Sequence, residues 1–333
     1  MRALVIRRLF YMVPTMFAIS LVAFLVIQLP PGNYLTTYIA ELSARGQSVD
    51  QTQIRALEER YGLDEPIFVQ YLRWIGGIVL HGDFGQSFQY QRDVSDLIWD
   101  RVGISVALAL ATIVVSWGLA IPIGIYSAVR QHSVGDYVFT FIGFIGLATP
   151  NFMLALLFVW IAFAYFGESV GGIVSPEFAD SAWNLGKILD VVSNLWAPVL
   201  IIGTAGTAVL IRVLRANLLD ELRKPYVVTA RAKGLPEWRV IVKYPVRMAM
   251  SPFISTIGWV LPTIVGGEVM VSIVLSLETT GPLLLQALRN QDMYLAGAFI
   301  LVLGVLTLVG TLISDLLLAW WDPRIRHAQA EEV

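Results

Sequence analysis

The 333-residue sequence contains no cysteine, so disulfide frameworks, thiolate metal sites and cysteine nucleophiles are all excluded. Charge is scarce as well. Only 14% of residues are Asp, Glu, Lys or Arg, against about 25% in an ordinary soluble domain. The formal net charge of -2 predicts no nucleic-acid partner. No G-x-x-x-x-G-K-[ST] phosphate loop occurs, so the chain cannot hydrolyse ATP through that motif. What is abundant is apolar surface: 56% of residues are hydrophobic and the mean hydropathy is +0.69. The expected class is therefore an all-α membrane protein, and the placement of its few charges carries the readable information.

A bilayer core about 30 Å thick needs about 20 apolar residues in a helix. Six stretches qualify: Leu9 to Leu29, Gly103 to Val129, Tyr137 to Phe166, Trp196 to Leu210, Pro252 to Leu275 and Leu295 to Trp320. Pro150 and Asn151 inside the third predict a kink. The fourth is short, but Arg212 near its end can snorkel to the interface. The first is read as an uncleaved anchor. A cleaved signal peptide is the alternative, but its apolar core runs about 7–15 residues and ends at a small-x-small site, whereas this stretch ends in Leu29-Pro30-Pro31-Gly32.

Six spans place both termini on one side. Fifteen of the 23 Lys and Arg residues lie on the side of the termini, so the positive-inside rule makes both ends cytoplasmic. The expected organisation is an anchor helix plus external segment over residues 1–102, a transmembrane domain over 103–321 that includes a cytoplasmic loop at 211–251, and a cytoplasmic tail at 322–333. The external segment carries net charge -4. It is expected to form helices at Val49 to Tyr61 and Ile67 to Leu80, serving either as a cap or as a docking surface. The 211–251 loop carries nine basic residues and is too long for a simple helix connection. Its pattern predicts a helix over Asn217 to Ala232 interrupted at Pro225, a turn at Gly234-Leu235-Pro236 and a second helix over Trp238 to Met250. Such a knob suits a groove on a cytosolic partner; the plainer alternative is a polybasic segment on anionic lipid.

At this point the residues resemble a family. Tyr226-Val227-Val228-Thr229-Ala230-Arg231-Ala232-Lys233-Gly234-Leu235 with Pro245-Val246-Arg247-Met248-Ala249 is similar to the coupling-loop signature of ABC importer permeases, in particular the dipeptide/oligopeptide branch. Tyr61-Gly62-Leu63-Asp64, Gly82-Asp83-Phe84-Gly85-Gln86-Ser87 and Asp322-Pro323-Arg324-Ile325-Arg326 match that branch in order. The general glutamate of the motif is absent, its place held by Val228. The resemblance implies a type I ABC importer permease fold in the inner membrane of a bacterial cell. It further implies a second homologous permease subunit, two cytosolic ATP-binding subunits that carry ATP and Mg, and an external solute-binding protein. This chain itself would need no cofactor or metal and would be no enzyme. The coupling residues implied are Tyr226, Thr229, Ala230, Arg231, Ala232, Lys233 and Gly234. The cargo implied is a dipeptide or oligopeptide, with oligosaccharide as the alternative.

Two carboxylates fall inside the spans. Asp315 sits near the end of its span, where an interfacial structural role is expected. Glu268 lies about 10 Å from the end of its span by helix rise and must face a cavity or a partner subunit, because an unpaired charge in lipid is costly. With Gly267, Thr263 and Asn151 it is a candidate for the translocation path; a structural pair with the second permease is the alternative. An ion-coupled secondary transporter is the rival class, disfavoured by the scarcity of such carboxylates and by the lack of an internal repeat. An intramembrane hydrolase lacks its parts: His81, His132 and His327 fall in loops or the tail, and no H-E-x-x-H occurs. Thr279-Thr280-Gly281-Pro282 before Leu283 to Leu288 suggests a re-entrant external hairpin.

Overall fold

The computed structural model describes residues 2–28, 65–87, 89–167, 171–178, 181, 184–258, 260, 263 and 268–321. The α-helices are α1 (Arg2–Gln28), α2 (Ile67–Gly76), α3 (Val94–Val129), α4 (Val134–Ala148), α5 (Asn151–Ile161), α6 (Leu185–Asn194), α7 (Trp196–Leu222), α8 (Pro225–Ala232), α9 (Glu237–Lys243), α10 (Pro245–Ser255), α11 (Val269–Val274), α12 (Thr280–Arg289) and α13 (Met293–Trp321). Among the described residues the only β-pairing is an isolated antiparallel bridge between Gln86 and Asp93.

Helices α1, α3, α7 and α13 are each long and apolar enough to cross a membrane, and α4 with α5 and its π-helical extension adds a fifth if the pair counts as one span. That pair bends by 99°, far more than a proline kink. Its cause is local: Thr149 (φ -96°, ψ 120°) and Pro150 (φ -59°, ψ 137°) both leave the helical region, as the residue before a proline tends to do. The expected span at Pro252 to Leu275 lies partly outside the described residues, and the helix expected at Val49 to Tyr61 lies wholly outside them. Helix α7 continues to Leu222, about three turns past the expected boundary at Leu210.

The chain divides into two compact units. One comprises Met1–Val5, Ser105–Glu278 and Thr307–Val333. Here α7 is the central element: α4, α5, α6 and α10 all pack on it. Leu210, Leu214 and Leu218 of α7 recur on one face and meet Val246, Ala249, Met250 and Phe253 of α10. Phe253 is wholly buried and lies edge-on to Trp117, ring centroids 4.7 Å apart. Removing such a ring from a packed core costs about 3–5 kcal/mol.

The other unit comprises Ile6–Ile104 and Thr279–Leu306. Its core joins α1, α2 and the start of α13 through Phe24, Tyr71, Trp74, Met293 and Leu301. Ser20 and Tyr71 share a buried hydroxyl hydrogen bond of 2.8 Å. Helix α2 occupies the expected place and ends in a π-helical turn over Gly77–His81.

Candidate functional site

Within the 211–251 loop, α8 and α9 form a helical hairpin, and the second helix expected over Trp238 to Met250 is broken at Tyr244 (φ -112°, ψ -80°), where α9 ends and α10 begins. The observed break falls at Arg223 and Lys224, and Pro225 starts a new helix instead of interrupting one. At the first helical position its missing N–H costs nothing and its fixed φ is already helical. Val227 and Ala230 on α8 then face inward and meet Val240 of α9, with Leu235 and Tyr244 closing a small core. Between them Gly234 stands at φ +75°, and a Cβ there would meet nothing within 4 Å. Glycine is thus required by backbone conformation and not by space.

A charge clip closes the hairpin. Arg231 Nε donates to both oxygens of Glu237 at 3.1 Å and Nη2 donates to Oε1 at 2.6 Å. The guanidinium hydrogen bonds hold the Glu237 carboxyl below its ordinary range. Tyr226 OH donates to Glu221 Oε2 at 2.5 Å, and Thr229 Oγ1 donates to the Pro225 carbonyl at 3.0 Å. Several large apolar side chains stay exposed on the hairpin, Val228 at 58% and Trp238 at 63% with Tyr226 and Val242, among the exposed charges of Lys224, Lys233, Arg239 and Lys243. Thr229, Ala232 and Lys233 are exposed as well. Of the seven expected coupling residues, Ala230 and Arg231 therefore build the knob, Gly234 turns it, and the others present a surface.

The knob is held to the membrane helices at its base. Arg247, in the first turn of α10, donates to the Trp321 carbonyl through Nη2 at 3.0 Å, and Trp321 Nε1 donates back to the Arg247 carbonyl at 2.7 Å. This reciprocal lock ties α10 to the end of α13, while the face of α10 beyond it is buried on α7.

A second feature lies in the same unit. A cavity of about 240 Å³ is lined by Thr112, Ser116, Trp117, Asn151, Gly206, Val260, Thr263 and Glu268, among others. Asn151 Nδ2 donates to Glu268 Oε1 at 2.9 Å. Three of the four expected path residues, Asn151, Thr263 and Glu268, are thus brought to one cavity; Gly267 lies outside the described residues.

Sequence reasoning missed two ionic anchors. Asp136 is buried and receives Arg215 Nε and Nη2, one on each oxygen, at 2.8 Å, and also the His132 N–H at 3.0 Å. The fork joins the start of α4 to α7 and places Arg215 as a structural residue. In the unit of Ile6–Ile104 and Thr279–Leu306, Asp292 is wholly buried: it caps α13 through Leu295 N at 3.2 Å and accepts from Ser87 Oγ at 2.5 Å and Gln89 N at 3.2 Å. Gly85 (φ +83°) lies against Tyr294, where a Cβ would come within 2.5 Å of the ring. The Gly82-to-Ser87 motif therefore serves to seat a loop on the start of α13. The signal for Asp292 was present as an acidic residue directly before a long apolar run; nothing in spacing alone pairs Asp136 with Arg215, 79 residues away.

Residues 120–327 match the family described as binding-protein-dependent transport system inner membrane component. Residues 1–109 match the N-terminal family of the same membrane components. The chain is 34% identical over 329 residues to the oligopeptide transport system permease protein AppB of Bacillus subtilis, covering 98% of this chain and all of that protein. It is 30% identical to the peptidoglycan transport system permease protein YejB of Agrobacterium fabrum, with 98% of each chain covered. It is 29% identical to the dipeptide transport system permease protein DppB of Escherichia coli, with 97% of this chain and 98% of that one covered. The chain belongs to this family of binding-protein-dependent permeases, the membrane components of ABC importers whose ATPase activity lies in separate subunits.

Proposed function

We propose that this chain is one of two permease subunits of an ATP-driven peptide importer, with its termini and the α8–α9 knob on the cytoplasmic side. A second permease, two ATP-binding subunits and an external binding protein complete the machine. The observation that carries this reading is the knob: a hairpin with its own core and exposed apolar side chains, followed by α10, which packs on α7 and is locked to the end of α13. A rigid element of this kind transmits a partner's rigid-body motion, whereas a loop lying on lipid needs neither a core nor a lock. The dipeptide and oligopeptide names of the relatives support peptide as cargo. The cavity around Asn151 and Glu268 is read as part of the translocation path.

The test is purification from the native membrane followed by uptake in proteoliposomes. The expected result is co-purification of ATP-binding subunits and a second permease, with peptide uptake that requires ATP. Val228→Asp should remove the ATP-binding subunits while the permease remains in the membrane, since it replaces an exposed apolar side chain of the proposed docking surface with a charge. Uptake by this chain alone would mean an ion-coupled carrier instead.

A further inference from the structure

We propose that Glu268 and Asn151 form a selectivity station for basic side chains of the cargo, a specificity-determining pair within the cavity. This rests on the reading of that cavity as part of the path. The chemistry of the lining points to the guest. Glu268 is the one ionisable side chain among the described residues around the cavity. Asn151 gives its N–H to Oε1, which fixes the amide orientation. Glu268 Oε2 has no partner among the described residues, and Asn151 Oδ1 is buried without a donor. The Thr112 hydroxyl donates to the Leu108 carbonyl at 2.8 Å, which leaves its oxygen as an acceptor. The site therefore has acceptors and one negative charge, and among the described residues no cation to satisfy them.

A guest that answers this carries positive charge and several N–H donors. A bare divalent ion fits poorly, since calcium or magnesium takes about six to eight oxygen ligands and a single carboxylate is at hand. An ammonium group donates three hydrogen bonds. The remainder of the wall is apolar, from residues such as Val209 and Val260. That suits the methylene stem of a lysine side chain, which packs on apolar surface while its head seeks a polar partner. A peptide's α-ammonium has no such stem, so the side chain is the occupant.

The experiment uses the complete transporter in proteoliposomes and follows uptake of Ala-Lys-Ala and Ala-norleucine-Ala, which share a free N-terminus and differ in the side-chain ammonium. The Glu268→Gln effect is read as each peptide's variant-to-wild-type uptake, so the binding protein's own preference cancels. The expected result is that the lysine peptide falls about tenfold relative to the norleucine peptide, the usual scale for one charge-assisted hydrogen bond. Glu268→Asp should keep most of the preference, because charge is retained. Equal loss for both peptides, or no loss for either, overturns the proposal. The underlying path reading is tested separately with Gly206→Phe. A side chain added at Gly206 meets nothing within 4 Å at its Cβ and extends into the cavity. Both peptides should then fall together; normal uptake by Gly206→Phe would overturn the path reading whatever Glu268→Gln shows.

Discussion

At the scale of single residues the chain uses its few charges to fix geometry. Asp136 is the clearest case. Its carboxylate is nearly inaccessible, with a side-chain exposure of 4%, while its partner Arg215 retains 26%. The pair lies between the surface limit, where an ion pair contributes about 0–1 kcal/mol, and the buried limit, where breaking one costs about 3–5 kcal/mol. Asp136→Asn removes the charge and leaves Arg215 half-paired, so a loss of about 2 kcal/mol is expected, measured as a lower midpoint of thermal inactivation of the purified complex. Arg215→Lys should cost less than Asp136→Asn, since it keeps the charge and loses only the two-pronged fit. An unchanged midpoint for both would mean that α4 is held on α7 by packing alone.

At the scale of elements the knob combines two kinds of stabilisation that respond differently to pH. The Val227, Ala230 and Val240 core is indifferent to protonation, whereas the Arg231–Glu237 clip needs an ionised carboxylate. Because the folded-state pKa of Glu237 is lowered from its ordinary value of 4.5, the clip's contribution is fully present above that value and is lost as pH falls through the lowered one. Amide exchange over residues 226–243 should show more protection in the wild type than in Glu237→Gln near neutral pH. The two should converge once the pH drops below the carboxylate range. A difference that persisted in acid would mean the clip is not what closes the hairpin. Much of this element was legible in the sequence, because Gly234, Pro236 and the apolar spacing of Val227 and Ala230 are local signals. The break at Arg223 was not: a proline after a good helical run is equally compatible with a kink and with a new start, and burial of α7 against α10 decides between them. The 99° bend at Thr149 and Pro150 was legible in its position and not in its size, because a proline in the sequence does not say how far the residues at the break leave the helical region.

At the scale of the whole molecule, the long apolar helices emerged from hydropathy because the bilayer imposes one length on them. The pairing of distant charges did not, since Asp136 with Arg215 and Asp292 with Ser87 depend on tertiary placement that no periodicity encodes. The proposed function is at heart mechanical: force from ATP hydrolysis enters this chain through the knob. Gly234 is the place to probe this, because it lies at φ +75° in open space and a substitution there changes backbone geometry without disturbing the membrane helices. A β-branched residue resists this conformation at a cost of about 1–2 kcal/mol, enough to misdirect a hairpin of this size. The decisive experiment follows ATP hydrolysis by the reconstituted complex carrying Gly234→Val, with and without substrate-loaded binding protein. A complex that assembles in the membrane and has lost substrate-stimulated hydrolysis is the expected outcome. Full stimulation in a correctly assembled Gly234→Val complex would refute force transfer through the knob and reduce it to a membrane-surface anchor.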